Sequence, residues 1–221
     1  LILAQVPLIV ALLVCVFRHD TSFFPLSFYF AVTVAAIWIG GVNTIRELAR
    51  EWPMVIREYR AGLSLSAYVC AKQIVFGVLC AVQGVLLGVL MAAVFRHYSL
   101  DWRQALLLAL ASVGGGMLGL GMSAVSARVN RAISILPIAF IPQISLAGAL
   151  MPFDKMTRVG RWLSHLTVSR PIFTLFKRIG VLDQSLWLRS EWLWLCGVTA
   201  GLSILAWGGV VWRVRRGRLS S

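Results

Sequence analysis

The stretch Glu47-Leu-Ala-Arg-Glu-Trp-Pro-Met-Val-Ile-Arg-Glu-Tyr-Arg60 decides how this chain is read. It is densely charged, yet long apolar runs flank it on both sides. Ile45, Leu48, Trp52, Val55, Ile56 and Tyr59 recur at spacings of three and four, which lays one apolar stripe along a helix. Such a helix belongs at the boundary between water and lipid, where its charges stay wet and its stripe finds cover. Thr44 with Glu47 three residues on has the form of a capping box, and Pro53 predicts a break into two short helices. Gly62 predicts the end, and Ser64 or Ser66 caps the next span.

The flanking sequence is membrane sequence. Of the 221 residues 59% are hydrophobic and 13% charged, and the mean hydropathy is +0.84. A soluble core of this size cannot hide that much apolar surface. Apolar runs cover residues 1–17, 26–42, 66–95, 105–125, 133–151 and 192–212. At 1.5 Å per residue, about 20 helical residues cross a ~30 Å hydrocarbon layer. None of the runs alternates as barrel strands do. The expectation is an all-α integral membrane protein with six transmembrane helices, the amphipathic helix following the second. Residue 1 lies inside an apolar run without a Met, so the chain is expected to be a fragment of a longer polypeptide. No basic segment or cleavage site marks that run as a signal peptide.

The net charge of +13 comes from scattered arginines, eighteen against three lysines, with no continuous basic face for nucleic acid. This arginine excess, with abundant Ala, Gly, Val and Leu, points to a bacterial source. Placing Arg46, Arg50, Arg57, Arg60, Arg128, Arg131, Arg213, Arg215, Arg216 and Arg218 in the cytoplasm leaves Arg18, Arg96 and Arg103 in short outer loops, as positive-inside bias expects. Seven further Lys or Arg residues lie in the long segment 154–189 on the outer side. That segment mixes Trp162, Leu163, Leu166, Ile172, Phe173, Leu175, Phe176 and Ile179 with basic residues and Pro171. It fits an outer re-entrant or interfacial helical hairpin between the fifth and sixth spans, with Trp162, Trp187, Trp192 and Trp194 at headgroup level.

Small-residue pairs Gly84 and Gly88, Gly115 and Gly119, and Gly197 and Gly201 allow helix backbones to approach, within the chain or across a dimer. Lys72, two turns into the third run, is placed to snorkel to the cytoplasmic face. Pro137 and Pro142 free backbone groups in the fifth run, so that helix is expected to face the bundle interior or a cavity.

Familiar catalytic constellations are missing. No lysine sits in a Gly-Lys-Ser/Thr phosphate loop, and His19, His97 and His165 lack metal-site spacing. Cys15, Cys70, Cys80 and Cys196 form no CxxC pair. Gly121-Met-Ser123 has the outline of a serine nucleophile, but no spanning run carries a His to act as its base. The eight carboxylates all lie at run ends or in loops, whereas an ion-coupled carrier keeps ionisable groups mid-membrane. A lipid-modifying enzyme would cluster acids or His at one depth. A purely structural subunit stays open.

Residues 47–72, from Glu-Leu-Ala-Arg-Glu-Trp-Pro through Ala-Gly-Leu-Ser-Leu-Ser-Ala-Tyr-Val-Cys-Ala-Lys72, resemble the first intracellular loop of type 2 ABC exporters of the G-subfamily kind. The nearest likeness is to the permease half of bacterial fusions that carry forkhead-associated and ATP-binding domains ahead of six membrane helices. Leu146-Ala-Gly-Ala-Leu-Met-Pro152 followed by Trp162-Leu-Ser164 is similar to that family's outer end of the fifth helix and its re-entrant region. Where the family often has a basic residue after the second Glu, this chain has Trp52, and Thr167-Val-Ser-Arg170 stands where a Pro-rich turn is expected.

The resemblance implies that residues 1–221 are one transmembrane domain, with an ATP-binding domain upstream or on a separate subunit that brings ATP and Mg. It implies a coupling helix at about residues 50–59, with Glu47, Arg50, Glu51, Trp52, Val55, Ile56, Arg57, Glu58 and Tyr59 as its working residues. Trp52, Val55, Ile56 and Tyr59 would seat in the soluble partner's groove. It implies a homodimer in the bacterial inner membrane, exporting a lipid-like or amphiphilic substrate. The second and fifth spans would line the pathway, with Phe28, Thr33, Trp38, Asn43, Phe140, Gln143 and Leu146 as contacts.

Overall fold

The computed structural model describes residues 4–17, 25–95, 98–126, 128–149, 151, 153–180 and 189–218. Arg18, His19, Asp20, Arg96, His97, Pro152, Asp183 and Trp187 lie outside them. The described residues are helical: α1 Gln5–Phe17, α2 Pro25–Thr44, α3 Glu47–Arg60, α4 Leu65–Val94, α5 Trp102–Val125, α6 Val129–Ser145, α7 Arg158–Ser164, α8 Ser169–Gly180 and α9 Arg189–Arg218. A short 3-10 turn covers Phe153–Lys155. Among the described residues, four stretches are long and apolar enough to cross a membrane: Leu26–Arg60, whose apolar part is α2, then Leu65–Val94, Trp102–Val125 and Glu191–Arg215. α1 and α6 are shorter apolar helices of 13 and 17 residues. The chain is an all-α, multi-pass membrane protein.

α5 is the hub. It packs on α2, α4 and α9, and glycines set how closely. A Cβ on Gly40 of α2 would fall on the Ser112 carbonyl of α5, and one on Gly115 would fall on the Ile37 carbonyl. On α4, a Cβ at Gly84 would strike the Leu108 carbonyl. The helices therefore touch backbone to backbone, an approach that small residues permit in a bilayer. Hydroxyls fasten the seam: Ser112 donates to the Ala36 carbonyl at 2.9 Å and Thr44 to the Gly116 carbonyl at 2.8 Å. Two of the three glycine pairs thus serve packing within the chain. Gly197 and Gly201 on α9 meet nothing within 4 Å.

At one end of the bundle an aromatic group gathers around Phe28, whose ring lies 5.0 Å from that of Phe95, with Phe17, Tyr29 and Tyr98 beside it. α8 docks there. Its Phe176 stacks on Tyr29 at 5.7 Å and its Phe173 meets Phe30 edge-on at 5.6 Å. The mixed segment after α6 is therefore a pair of short helices, α7 and α8, and α8 buries Ile172, Phe173, Leu175 and Phe176 against the spans. Burial and the charge of Arg170 hold the His165 imidazole below its usual range; its ring packs against Trp194 at 4.4 Å. Gly148, at φ +88°, turns the chain where a side chain would meet the Phe153 ring.

Substitution at the seam separates the two kinds of glycine. Gly115→Val is expected to destabilise the detergent-solubilised chain by roughly 3 kcal/mol or more, because backbone must move to admit the side chain. Gly197→Ala and Gly201→Ala should leave the thermal unfolding midpoint within ~1 °C. Fluorescence-detected size-exclusion melts measure both.

Candidate functional site

α3 carries the residues expected to form the coupling site. It is one continuous helix across Pro53, not two, and it starts at Glu47. Proline removes one N–H and crowds the carbonyl four residues back, which bends a helix without necessarily ending it. The capping box is also absent. Thr44 is fully buried and gives its hydroxyl to carbonyls of α2 and α5, so it is not available to cap. The cap comes instead from across the bundle: Ser123 Oγ of α5 accepts the Ala49 N–H at 3.0 Å, meeting one of the orphan donors of α3's first turn. Gly62, at φ +105°, closes the other end. There Gly62 N–H donates to the Tyr59 carbonyl and Leu63 N–H to the Glu58 carbonyl, the Schellman arrangement. Ser64 caps α4 through Ala67 N–H.

The inner face of α3 is held by three helices. Lys72 of α4 pairs with Glu51 at 2.6 Å and lies 3.8 Å from Glu47, while Tyr68 donates its hydroxyl to the other Glu51 oxygen at 2.8 Å. Lys72 snorkels, but to carboxylates of α3. Leu48 joins Val69, Met117, Leu120, Ala124, Ala206 and Val210 in a second apolar cluster drawn from α3, α4, α5 and α9, with Trp52 at its edge. Over Trp52 lies the Arg213 guanidinium of α9, 3.9 Å from the ring centroid. The same guanidinium donates from Nη1 to the Ser126 carbonyl at 2.7 Å, which caps the C-terminus of α5.

This arrangement corrects the expected orientation of α3. Val55 is buried, and Trp52 is half-buried beneath Arg213, so neither offers an apolar ridge to a soluble partner. Ile56, Glu58 and Tyr59 are half-buried at the margin. The exposed face holds Arg46, Arg50, Pro53, Met54, Arg57 and Arg60. The apolar stripe is drawn inward because the ends of α4, α5 and α9 supply an apolar cradle that water does not. Charge is sorted by the same step. Glu47 and Glu51 turn in toward Lys72, and the arginines stay exposed, Arg50 reaching back to Glu47 at 3.3 Å.

The residues expected to line a pathway scatter. Phe28 belongs to the aromatic group at the far end, and Thr33 gives its hydroxyl to the Tyr29 carbonyl. Asn43 is the middle of a buried amide chain: Gln5 of α1 donates to it, and it donates to Gln83 of α4. Gln143 is an anchor for α8; its Oε1 accepts from Val168 N–H at 3.0 Å and Ser169 N–H at 3.2 Å. Trp38 and Phe140 do meet, edge to face at 4.8 Å, and Trp38 is exposed while Phe140 is buried. Leu146 is half-buried at the end of α6. The prolines of α6 lie on its exposed side, with Ile133, Ile138 and Ile141, and do not face the bundle interior. Among the described residues no group of three His, Cys, Asp or Glu side chains stands close enough to hold a metal.

Residues 3–179 match the ABC-2 type transporter family. The chain belongs to that family. It is also similar to the ABC transporter ATP-binding/permease protein Rv1747 of Mycobacterium tuberculosis, at 28% identity over 205 residues, covering 83% of this chain and 24% of the relative. It spans about a quarter of that relative's length. The chain is thus an ABC-2 permease domain of an ABC transporter.

Two residues of this permease give no sign of their roles in the sequence. Ser123 has there only the outline of an unsupported nucleophile, and it is the cap of α3. Arg213 sits in the basic run 213–218, which reads as a topology signal. No local pattern marks either one, because their partners lie 74 and 87 residues away.

The clasp between α3 and α4 can be measured. A double-mutant cycle on Glu51→Ala and Lys72→Ala is expected to give a coupling of about 1–2 kcal/mol in unfolding free energy, above the usual value for an exposed pair, because both side chains are only about one-fifth exposed. Tyr68→Phe should cost about 1 kcal/mol through its lost bond to Glu51.

Proposed function

We propose that this permease is the membrane half of an ATP-driven exporter, and that α3 is its coupling helix. The observation that carries this reading is the division of α3 into two faces: one bonded to the ends of α4, α5 and α9, the other an exposed row of arginines around Pro53 and Met54. A helix so held transmits force to the spans and leaves a basic surface for a partner. The partner is an ATP-binding domain, upstream in the same polypeptide or on a separate subunit, which brings ATP and Mg; its docking surface is acidic where α3 lands. The name of the relative, an ATP-binding/permease protein, supports the pairing.

The working unit is a homodimer in a bacterial inner membrane. Pro137 and Pro142 remove the N–H groups that would reach the carbonyls of Ile133 and Ile138 on the exposed side of α6. Such carbonyls are tolerated in a bilayer against protein or a water-lined cavity, so this face belongs to a second copy and the cavity between the two. Trp38, exposed on α2 beside Phe140, borders the same face. Its largely apolar surface suits a lipid-like or amphiphilic cargo.

Two experiments test this. In the assembled transporter, Arg50→Glu with Arg57→Glu should cut nucleotide-driven movement of a fluorescent short-chain phospholipid by ~10-fold or more, with the wild-type docking weakened as ionic strength rises. Unchanged movement sinks the docking face. With the exposed Cys15, Cys70 and Cys196 replaced by Ser, Ile138→Cys should give an oxidation-linked dimer in membranes, whereas Ile204→Cys on the exposed side of α9 should not. The reverse pattern removes α6 from the interface.

A further inference from the structure

Arg213 stands apart from Arg215 in the same basic run. Arg215 is exposed, whereas Arg213 is half-buried, flanked by buried Val210 and Val214. Its guanidinium has two jobs that geometry makes compatible. The guanidinium carbon lies over the Trp52 ring, 3.9 Å from its centroid, while the Nη1 N–H reaches the Ser126 carbonyl at 2.7 Å, a pair of contacts that a planar fork of donors allows. Ser126 is the C-cap of α5, where the helix dipole is negative and a cation is favoured. α6 begins at Val129, just beyond. One side chain of α9 therefore touches the surface helix and the corner from which the proline-bearing α6 departs.

Resting on the coupling role proposed above, we infer that Arg213 is a positioning residue that delivers displacement of α3 to the α5–α6 corner, through Trp52 on one side and the Ser126 carbonyl on the other. The Ser123–Ala49 bond fixes α3 to α5 at a second point three residues earlier on α5, so movement of Trp52 acts as a lever about that point. Lysine cannot replace this arginine. It is a point charge that can cap the carbonyl or sit over the ring, and it has no plane with which to do both. Trp52 has the matching requirement of an aromatic face.

Two measurements on the full-length transporter in nanodiscs or proteoliposomes test the inference. The first needs no nucleotide: hydrogen exchange at the start of α6. Trp52→Leu should raise exchange of residues 132–136, the first hydrogen-bonded amides of α6, by ~5-fold or more in the wild-type background and by less than ~2-fold once Arg213→Gln is present, since the second change has already cut the link. A residue with a merely stabilising role would give effects that multiply, and that result overturns the inference. The second measurement is the ratio of fluorescent-phospholipid movement to ATP hydrolysed. Arg213→Gln should lower it by ~5-fold or more with hydrolysis retained, Arg213→Lys should recover it only in part, and Trp52→Phe should preserve it. Full recovery by lysine, or a proportional fall in both rates, sinks the positioning role. If wild-type protein neither hydrolyses ATP nor moves the probe, the exporter reading fails, while the exchange experiment still decides whether Arg213 links α3 to α6.

Discussion

The backbone contact between α2 and α5 is the constraint on which the rest of the permease depends. In a bilayer the lipid tails are as apolar as leucine, so helices gain little by merely hiding hydrophobic surface from one another. They gain by close van der Waals contact and by hydrogen bonds across the seam, and both need small residues. Gly40, Gly115 and Gly84 supply the approach, and Ser112 and Thr44 supply the bonds. Once Thr44 is fixed against Gly116, the chain must leave α2 beside the last turns of α5. That puts the start of α3 within reach of Ser123.

The orientation of α3 is the second consequence. An amphipathic helix at a membrane boundary has several places to put its apolar stripe, among them lipid, a soluble partner and the ends of its own bundle. Here the ends of α4, α5 and α9 form a cluster around Leu48, and Trp52 completes its edge. Polar interactions reinforce the choice, since Glu51 finds both Lys72 and Tyr68 only with the stripe turned inward. Left outside are arginines, with their long stems and permanent charge. The helix thus has a fixed side and an available side.

Three polar side chains show how far sequence reasoning reaches. Gln143 looks like a pathway contact because it is an amide in an apolar helix next to prolines, yet its oxygen holds the first N–H groups of α8. Asn43 looks much the same and is the middle of an amide chain from Gln5 to Gln83. Ser123 looks idle. In each case the residue type announces that some partner exists, because an unpaired polar group in the membrane interior costs several kcal/mol. It does not say which one. Trp38 and Phe140, by contrast, need no polar partner; their rings meet where α2 passes α6, and only packing brings those two helices together.

By itself, the sequence determined that the chain is helical, that it lives in a membrane, and that an amphipathic helix bounded by Gly62 and Ser64 interrupts the spans; hydropathy, period and capping chemistry are local properties that survive without knowledge of neighbours. Tertiary structure alone decided that Pro53 leaves α3 unbroken, that its apolar side turns inward, and that Arg213 of the basic run lies across Trp52. The physical reason is range. A helix turn joins residues three or four apart, whereas the bonds that orient α3 join residues 74 positions apart between Ala49 and Ser123 and 87 apart between Ser126 and Arg213, and only the packed bundle brings such pairs together.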